Sequence, residues 1–358
     1  MTNTVKPKCL VTGASGMMPG EAARYLVKHH PELDVYGVDD MSESFEYNIP
    51  EGIHFTKMDL RDSKAVKEYF NEHFSDGSLK YVMNYAASAA EIQSYFCPEN
   101  VTSRNYDLFR TVLVNSLRHN VPRIIYFSSM SRYGDGCIRD DNGNIILEQP
   151  LGYKESYFVN PQDPYASSKV ACELLLKSFK HVYNFDYTIF VPFSCFAPTQ
   201  FPGVYRNFLA IWMNLILFGK EPTIYGTGEN IRAISFTDDF TPTTCEALFN
   251  PKAYNQTFNI GGGEHKSINE WWDLVKKVSG TSLNAIHRDP RPGEVARAYC
   301  DTTKAKQVLG FENKTSAEDA LKQMWDYFVA KGPREFKYID EFEIESDKIP
   351  KTWKNKLF

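Results

Sequence analysis

The first 190 residues alternate short apolar runs with segments that repeat apolar residues at helical spacing. The apolar runs predict six strands: Lys8 to Val11, Val35 to Val38, His54 to Lys57, Tyr81 to Tyr85, Arg123 to Phe127 and Tyr187 to Val191. The segments between them predict four helices: Gly20 to His29, Lys64 to Phe74, Asn105 to His119 and Pro164 to Tyr183. Strands that alternate with helices are typical of βαβ units. The pattern therefore predicts an α/β fold with a doubly wound, Rossmann-type parallel sheet, which binds ligands at the carboxyl ends of its strands.

The pattern becomes looser after about residue 192, where proline and glycine interrupt it. It predicts a helix from Asn207 to Phe218, a short strand from Thr223 to Tyr225 and a helix from Ile268 to Val278. We interpret this part as a smaller α+β lobe that closes over the sheet. The predicted division gives residues 1–191, with roughly 231–263, to the sheet domain, 192–230 and 264–331 to the second lobe, and 332–358 to a charged tail packed on the surface.

Composition narrows the classes of ligand and compartment. A chain of 358 residues that is 42% hydrophobic can bury a large core. Its net charge of −5 provides no basic field for nucleic acid, so a small anionic ligand held by a few arginines fits better than a polymer. Seven scattered cysteines without a Cys-x-x-Cys pair argue against a metal site and against a disulfide framework. With no apolar leader and no membrane-length apolar stretch, we expect a cytoplasmic protein.

A glycine loop follows the first strand, from Thr12 to Gly16. Gly13 and Gly16 stand where backbone N–H groups must approach a pyrophosphate closely. Pro19 replaces the third glycine of this pattern and is tolerated in a first helical turn. Asp39 ends the second strand, where a carboxylate accepts both ribose hydroxyls of an adenosine and repels a 2′-phosphate. The spacing predicts an NAD site, and an ordinary glycine turn is the alternative for the loop taken alone.

The other strand ends predict further contacts to the cofactor. Asp59 and Leu60, after the third strand, are placed for an adenine contact. Residues 86–88, after the fourth strand, are placed where the backbone passes the cofactor. The predicted set from these positions is Gly13, Ser15, Gly16, Met17, Met18, Asp39, Asp59, Leu60, Ala86, Ala87 and Ser88.

A proton-transfer site is predicted from Ser129, Tyr165 and Lys169. The tyrosine and the lysine are four residues apart at the start of a helix, so both side chains project from one face. An ammonium beside a phenol favours the phenolate and lowers the tyrosine pKa from about 10. Tyr165 would then remove a hydroxyl proton while hydride leaves the same carbon for nicotinamide, and Ser129 would bond that oxygen. The alternative is a surface Tyr/Lys pair, as in the isolated repeat from Tyr327 to Lys331.

In this order, the motifs resemble those of the extended short-chain dehydrogenase/reductase family and, within it, the nucleotide-sugar epimerases that include UDP-glucose 4-epimerase. The likeness runs from about Lys8 to Leu309. It implies Asn105 and Phe193 as additional cofactor contacts, beside Tyr165 and Lys169. It also implies a homodimer joined through the two helices that begin near Asn105 and Pro164.

The second lobe resembles the nucleotide-binding stretches of the same family. The likeness implies that Arg232 and Arg291 hold a diphosphate and that Glu294 holds the ribose, whereas surface ion pairing is the alternative. A small residue at Ala298 implies room for an N-acetyl group. The substrate set implied in this way is Ser88, Ser129, Ser194, Asn207, Tyr225, Arg232, Arg291, Glu294 and Ala298, in which Ser194 replaces an asparagine of the family.

The type of reaction is predicted from the two residues after Ser129. Related dehydratases carry an Asp-Glu pair there, because loss of water needs a second acid and base. Met130 and Ser131 stand in those places and can do neither. The sequence thus predicts an NAD-dependent isomerase that epimerises C4 of a UDP-hexose, or of its N-acetylated form, through a 4-keto intermediate. The alternatives are an epimerase of another carbon or of a GDP- or CDP-sugar, a nucleotide-sugar reductase, and a non-catalytic NAD sensor.

Overall fold

The computed structural model describes residues 5–358 of the chain. Its strands, in chain order, are β1 Lys8–Thr12, β2 Asp34–Asp39, β3 His54–Lys57, β4 Leu79–Asn84, β5 Arg123–Phe127, β6 Cys137–Arg139, β7 Ile145–Glu148, β8 Asp186–Phe193, β9 Cys195–Phe196, β10 Thr223–Tyr225, β11 Ile231–Ala233, β12 Ser235–Phe236, β13 Gln256–Gly261, β14 His265–Ser267, β15 Ile286–Arg288 and β16 Arg297–Ala298. Its α-helices are α1 Met17–His29, α2 Ser63–Phe74, α3 Glu91–Ser94, α4 Pro98–Thr102, α5 Leu108–Arg118, α6 Pro164–Lys180, α7 Phe208–Leu217, α8 Thr237–Glu246, α9 Ile268–Ser279, α10 Thr303–Leu309, α11 Ala317–Lys331 and α12 Lys351–Lys354.

A seven-stranded parallel sheet in the order β13-β8-β5-β4-β1-β2-β3 forms the centre of the molecule. Helices cover both of its faces, each over a separate apolar cluster. The doubly wound fold predicted from the sequence is therefore confirmed. The six predicted strands all occur, and a seventh, β13, extends the edge beside β8. The sequence did not predict β13 as a strand because its apolar positions are few and a glycine run follows at Gly261.

The helix predicted to begin at Asn105 begins earlier. Pro98 opens α4 at a position where its missing N–H costs nothing, and a π-helical turn, Ser103–Asp107, joins α4 to α5. A π turn inserts one residue into a helix and is frequent at functional sites. The wider turn places Asn105 in the interior, where it is buried.

The second lobe packs three helices, α7, α9 and α11, around an aromatic core that includes Trp212 and Trp271. Its small sheets pair β10 with β15 and place β11 between β14 and β16. The tail is integrated more deeply than its charged composition suggests, because Ile349 and Trp353 are buried against Phe96. Within residues 5–358, no helix is both long and apolar enough to cross a bilayer.

Candidate active site

A cleft of about 500 Å³ lies at the carboxyl ends of the central strands and extends to the second lobe. Most of the side chains and loops predicted for the site line it. These are Gly13, Gly16, Met17, Met18, Asp39, Asp59, Leu60, Ala86, Ala87, Ser88, Ser129, Tyr165, Lys169, Ser194, Asn207, Arg232, Arg291 and Glu294. Residues from the glycine loop, the Ser-Tyr-Lys set and the second lobe thus share one continuous space.

The glycine loop leaves room that a side chain would fill. Gly13 has a φ of +73°, and a Cβ on it would lie 3.1 Å from the Cα of Ala86. A Cβ on Gly16 would lie 3.1 Å from the carbonyl oxygen of Gly13. Pro19 is accommodated in the first turn of α1, where the Gly20 N–H still donates to the Gly16 carbonyl at 2.8 Å. This bare backbone at a helix N-terminus fits a pyrophosphate.

Asp39 is held in place by backbone donors. Its carboxylate accepts the Met41 N–H at 2.7 Å and the Ser15 N–H at 3.2 Å, while burial raises its pKa. Ser15 itself is fully buried, and its hydroxyl bonds that of Ser44 at 2.6 Å. Ser15 therefore fixes the loop to Asp39 from behind and does not line the cleft. The carboxylate that remains at the cleft wall fits the ribose of a dinucleotide without a 2′-phosphate.

Two arginines that the sequence did not predict, Arg61 and Arg104, line the cleft near Asp59, the residue predicted to contact adenine. Arg61 donates hydrogen bonds to the Asp59 carboxylate from its Nε at 3.0 Å and from a terminal nitrogen at 2.6 Å. These bonds hold the pKa of the Asp59 carboxyl below its usual value. Arg104 lies 3.5 Å from the Asp40 carboxylate. Both arginines are thus neutralised by neighbouring acids. No motif marks Arg61 or Arg104, and only the folded loops bring them to this wall.

Asn105 and Phe193 lie behind the cleft and do not line it. The Asn105 amide accepts the Ser88 N–H at 2.8 Å and donates to the Ser88 carbonyl at 3.2 Å and the Ser168 hydroxyl at 2.9 Å. It therefore ties the loop after β4 to α6, because the π turn points it there. Phe193 is buried, and its ring packs where a Cβ on Gly262 would be.

The reactive set is positioned by the start of α6 and the end of β5. Asp163 caps α6 by accepting the Ala166 N–H at 2.7 Å, so Tyr165 and Lys169 fall on one buried face. Ser129 favours the ionised form of the Tyr165 phenol and so opposes part of the rise in its pKa, and the Ser129 hydroxyl accepts the Ser131 hydroxyl at 2.8 Å. The structure thus brings the serine, the tyrosine and the lysine to one part of the cleft.

The expected lowering of the Tyr165 pKa is wrong for the protein alone. Burial raises the pKa of Tyr165, and the carboxylates of Glu91 and Asp163 raise it further. Burial also lowers the pKa of Lys169 to about 8, with its Nζ 4.8 Å from the centre of the Tyr126 ring. Desolvation disfavours the charged forms of Tyr165 and Lys169, and its cost exceeds the attraction between phenolate and ammonium from which the lower pKa was predicted.

Two carboxylates at the reactive end were missed. Asp163 and Glu91 both line the cleft. Burial raises the pKa of Asp163 to about 7, and the Glu91 charge adds to that rise. Asp163 is two residues before Tyr165 in the sequence, so the helix-cap position was the available signal for it. Glu91 follows β4 after a loop and carried no signal.

Glu294 lies at the centre of the charged groups that the second lobe contributes to the cleft, at the end predicted to bind the nucleotide. Its carboxylate lies 2.8 Å from Arg291 and 3.8 Å from Arg232, and the Arg291 guanidinium lies 4.6 Å from the centre of the Tyr225 ring. Arg232 and Arg291 are the two cations of this wall, and guanidinium groups can form paired hydrogen bonds to phosphate oxygens, so the wall fits a diphosphate. Tyr225 lines a smaller pocket that adjoins this wall and shares Arg291 and Glu294.

Of the three other predicted substrate residues, Ser194 and Asn207 line the cleft. Ser194 has a φ of +44°, a left-handed conformation that asparagine adopts more readily than serine. Asn207 caps α7, accepting the Leu209 N–H and donating to the Cys195 carbonyl at 3.1 Å. The backbone of Ala298 lies in β16 beside β11, but its side chain is outside the described part of the structure, so the N-acetyl expectation stays a prediction.

A doubly wound sheet with this loop, acid and Ser-Tyr-Lys set defines a short-chain dehydrogenase/reductase of the extended type. More specifically, the chain belongs to the NAD dependent epimerase/dehydratase family, whose model matches residues 9–261.

Proteins of known name resemble the chain over most of its length. It is 25% identical over 326 residues to the UDP-glucose 4-epimerase of Mycolicibacterium smegmatis, which covers 90% of this chain and 98% of that protein. It is 23% identical to the UDP-glucuronate 4-epimerase of Thermodesulfobacterium geofontis over 88% of this chain and 94% of that protein. The crystal structure of the Thermotoga maritima UDP-glucose 4-epimerase with UDP-glucose superposes with a TM-score of 0.81 at 27% identity, covering 90% and 99% of the two chains.

Proposed function

We propose that the protein is an NAD-dependent epimerase that inverts C4 of a UDP-hexose. The observation that carries this proposal is one continuous cleft, which the glycine loop, the reactive set and the arginines Arg232 and Arg291 line together. The relatives that act on UDP-sugars support the choice of nucleotide. Met130 and Ser131 line the cleft after Ser129, and neither can supply the second acid and base of a dehydration.

The mechanism follows from the groups around the reacting hydroxyl. When bound by the glycine loop and Asp39, NAD would supply a hydride acceptor and a positive charge. Tyr165 accepts the C4 hydroxyl proton and later returns it, and Ser129 bonds the C4 oxygen throughout. Lys169 supplies positive charge from the next turn of α6. Because burial and two carboxylates raise the Tyr165 pKa, deprotonation of the phenol depends on the complete complex more than on the lysine alone.

The pH profile of kcat/KM should contain a limb that reports ionisation of Tyr165, and the charge of Asp163 should affect the pH at which this limb falls. Asp163→Asn keeps the cap on α6 and removes a charge that opposes the phenolate, so the limb of kcat/KM assigned to Tyr165 will move to lower pH. In the wild-type protein the pKa of Asp163 is about 7 in the folded state and 3.8 in the unfolded state, so the free energy of unfolding falls as pH rises between these values. The asparagine variant should not show this fall. Profiles of kcat/KM and of unfolding free energy identical to wild type would contradict this.

The charge around the sugar favours a neutral hexose over a hexuronate. The Glu91 carboxylate influences the pKa of Tyr165 on one side and those of Arg232 and Arg291 on the other. Glu91 also lines the cleft, so its charge acts on the space that the reactive phenol shares with the proposed diphosphate ligands, where we expect the sugar. Asp163 adds a second acid at the same end. A uronate carboxylate placed here meets like charge.

Discrimination against UDP-glucuronate is therefore expected. A like-charge contact of about 1.4 kcal/mol corresponds to a tenfold ratio, so kcat/KM for UDP-glucuronate will be at least about tenfold below that for UDP-glucose. Glu91→Gln, which keeps the shape, will narrow the ratio. Steady-state assays of both substrates with both proteins test this. Equal use of the two sugars by the wild-type protein would refute the assignment.

The function itself is tested by product analysis. Purified protein with NAD is incubated with UDP-glucose, UDP-N-acetylglucosamine and the GDP- and CDP-sugars, and the products are read by proton NMR. We expect the C4 epimer of a UDP-sugar, without net change in absorbance at 340 nm. Stoichiometric consumption of NADH with a keto-sugar would establish the reductase alternative, and absence of turnover with every donor would favour the NAD sensor.

Assembly and location are part of the same proposal. We propose a cytoplasmic homodimer joined through α5 and α6. In support, Leu174 on α6 is 58% exposed, and all seven cysteines are free. Sedimentation of the purified protein tests the dimer directly.

A further inference from the structure

The C-terminal strap, residues 332–358, crosses both lobes beside the cleft. The family model ends at residue 261, and the relatives above leave about a tenth of this chain unmatched. The strap is nevertheless fixed to the body at several points. Its contacts lead to the nucleotide end of the site.

The strap first attaches to the second lobe. The Arg334 N–H donates to the Asn214 side chain at 2.9 Å, and the Asn214 amide donates back to the Arg334 carbonyl at 2.7 Å. The Arg334 guanidinium lies 3.9 Å from the centre of the Phe328 ring. The Ile339 N–H then donates to the Tyr205 hydroxyl at 3.1 Å, and Tyr205 lines the cleft.

The strap then crosses to the sheet domain. The Glu343 carboxylate accepts the N–H groups of Glu99 at 2.7 Å and Asn100 at 2.8 Å, in the first turn of α4. The Ile344 N–H donates to the Phe96 carbonyl at 3.0 Å. Both lobes are therefore joined by backbone hydrogen bonds to one segment.

The final turn returns to the second lobe under the nucleotide end. The Thr352 hydroxyl bonds the Tyr225 hydroxyl, and the buried Trp353 meets the Tyr205 ring edge to face at 4.9 Å. Tyr225 thus contacts Thr352 through its hydroxyl and Arg291 through its ring, over which the Arg291 guanidinium lies. The Nε of Arg291 is buried and has no hydrogen-bond partner within the described residues. The ring of Tyr225 and the carboxylate of Glu294 thus set its orientation.

We propose that Thr352 is a positioning residue for nucleotide binding: by fixing the Tyr225 ring it fixes Arg291 toward the diphosphate. The inference deepens the proposed function and rests on it. The strap acts here on affinity for the nucleotide and leaves the proton-transfer end, formed by Ser129 and Tyr165, unchanged. KM and kcat should therefore separate in strap variants.

The test uses the full-length protein and UDP itself, so that binding is read without catalysis. Thr352→Val keeps the shape and removes the hydroxyl, and it should weaken UDP binding about 2- to 10-fold, the range for one lost hydrogen bond. NAD affinity and kcat should stay at the wild-type value while KM for the sugar nucleotide rises in parallel. Thr352→Ser should restore binding. Lys351→Ala, which removes only the exposed pair with Asp289, is the matched control and should resemble wild type.

Calorimetric titration distinguishes the outcomes. If UDP binds the valine variant as tightly as wild type, the positioning role is refuted, although epimerase activity can still stand. Equal weakening of NAD and UDP would show general damage and would also refute it. If the wild-type protein binds no UDP, the proposed function and this inference fail together.

Discussion

Replacing Tyr165 by phenylalanine will lower kcat by about 10²–10⁴-fold, the usual contribution of a positioned acid or base. In the proposed mechanism the Tyr165 phenol, which lines the cleft together with Ser129, exchanges a proton with the sugar hydroxyl. Phenylalanine fills the same buried volume, so the fold and the affinities for NAD and UDP should be retained. Initial rates under saturating UDP-hexose, with both affinities measured separately, give the comparison.

The chain provides a matched control for this substitution. Tyr327 and Lys331 repeat the motif spacing on α11, and the Tyr327 hydroxyl bonds the Asn48 side chain away from the cleft. Tyr327→Phe removes a tyrosine hydroxyl of the same motif and should leave kcat at the wild-type value. Wild-type kcat in Tyr165→Phe would remove Tyr165 from the mechanism.

Replacing Arg132 by methionine will destabilise the protein by about 3–5 kcal/mol, the cost of leaving a buried charge without its partner. Arg132 follows Ser129 in a short helical turn, and its guanidinium lies 3.0 Å from the Glu173 carboxylate on α6, with the two side chains 5% and 2% exposed. The other Glu173 oxygen accepts the Ser128 hydroxyl at 2.5 Å. The pair therefore clamps the turn that carries Ser129 to the helix that carries Tyr165.

A double-mutant cycle identifies the cause of that loss. Arg132→Met with Glu173→Gln removes both charges, so it should recover part of the stability that the single variant loses, as read by urea unfolding. Lys177, 3.6 Å from Glu173 and more exposed, is a weaker substitute partner. A single variant as stable as wild type would show that the ion pair contributes nothing. A double variant no better than the single one would assign the loss to packing.

The sequence predicted the sheet well because fully buried parallel strands are written as continuous apolar runs. β5, whose five residues are all buried, has the predicted bounds. The partly exposed edge strand β3 has them too, although it is not a continuous apolar run. It failed at β13, where pairing with β8 outweighs a weak local pattern, and at Asn105, where a π turn has no sequence signature that we recognised. The strap was missed because its buried residues, Ile349 and Trp353, follow no period.

Residues that line the cleft were predictable where a strand end or a helix start carries a recognisable motif, as at Gly13, Asp39 and Tyr165. The ionisation behaviour of the site residues was not predictable, because burial determines their pKa values. The Tyr165 pKa depends on desolvation and on Glu91, a residue 74 positions away in the sequence that only the fold brings near. The spacing of two residues along a helix predicts that their side chains point from one face, but it carries no information on the dielectric environment of those side chains.

In the proposed reaction, a hydrogen leaves C4 of the sugar as hydride and returns to the same carbon. UDP-glucose deuterated at C4 and incubated in ordinary water tests this, with the product read by NMR and mass spectrometry. We expect UDP-galactose that retains the deuterium at C4. Product with hydrogen at C4, and deuterium lost to the solvent, would contradict it.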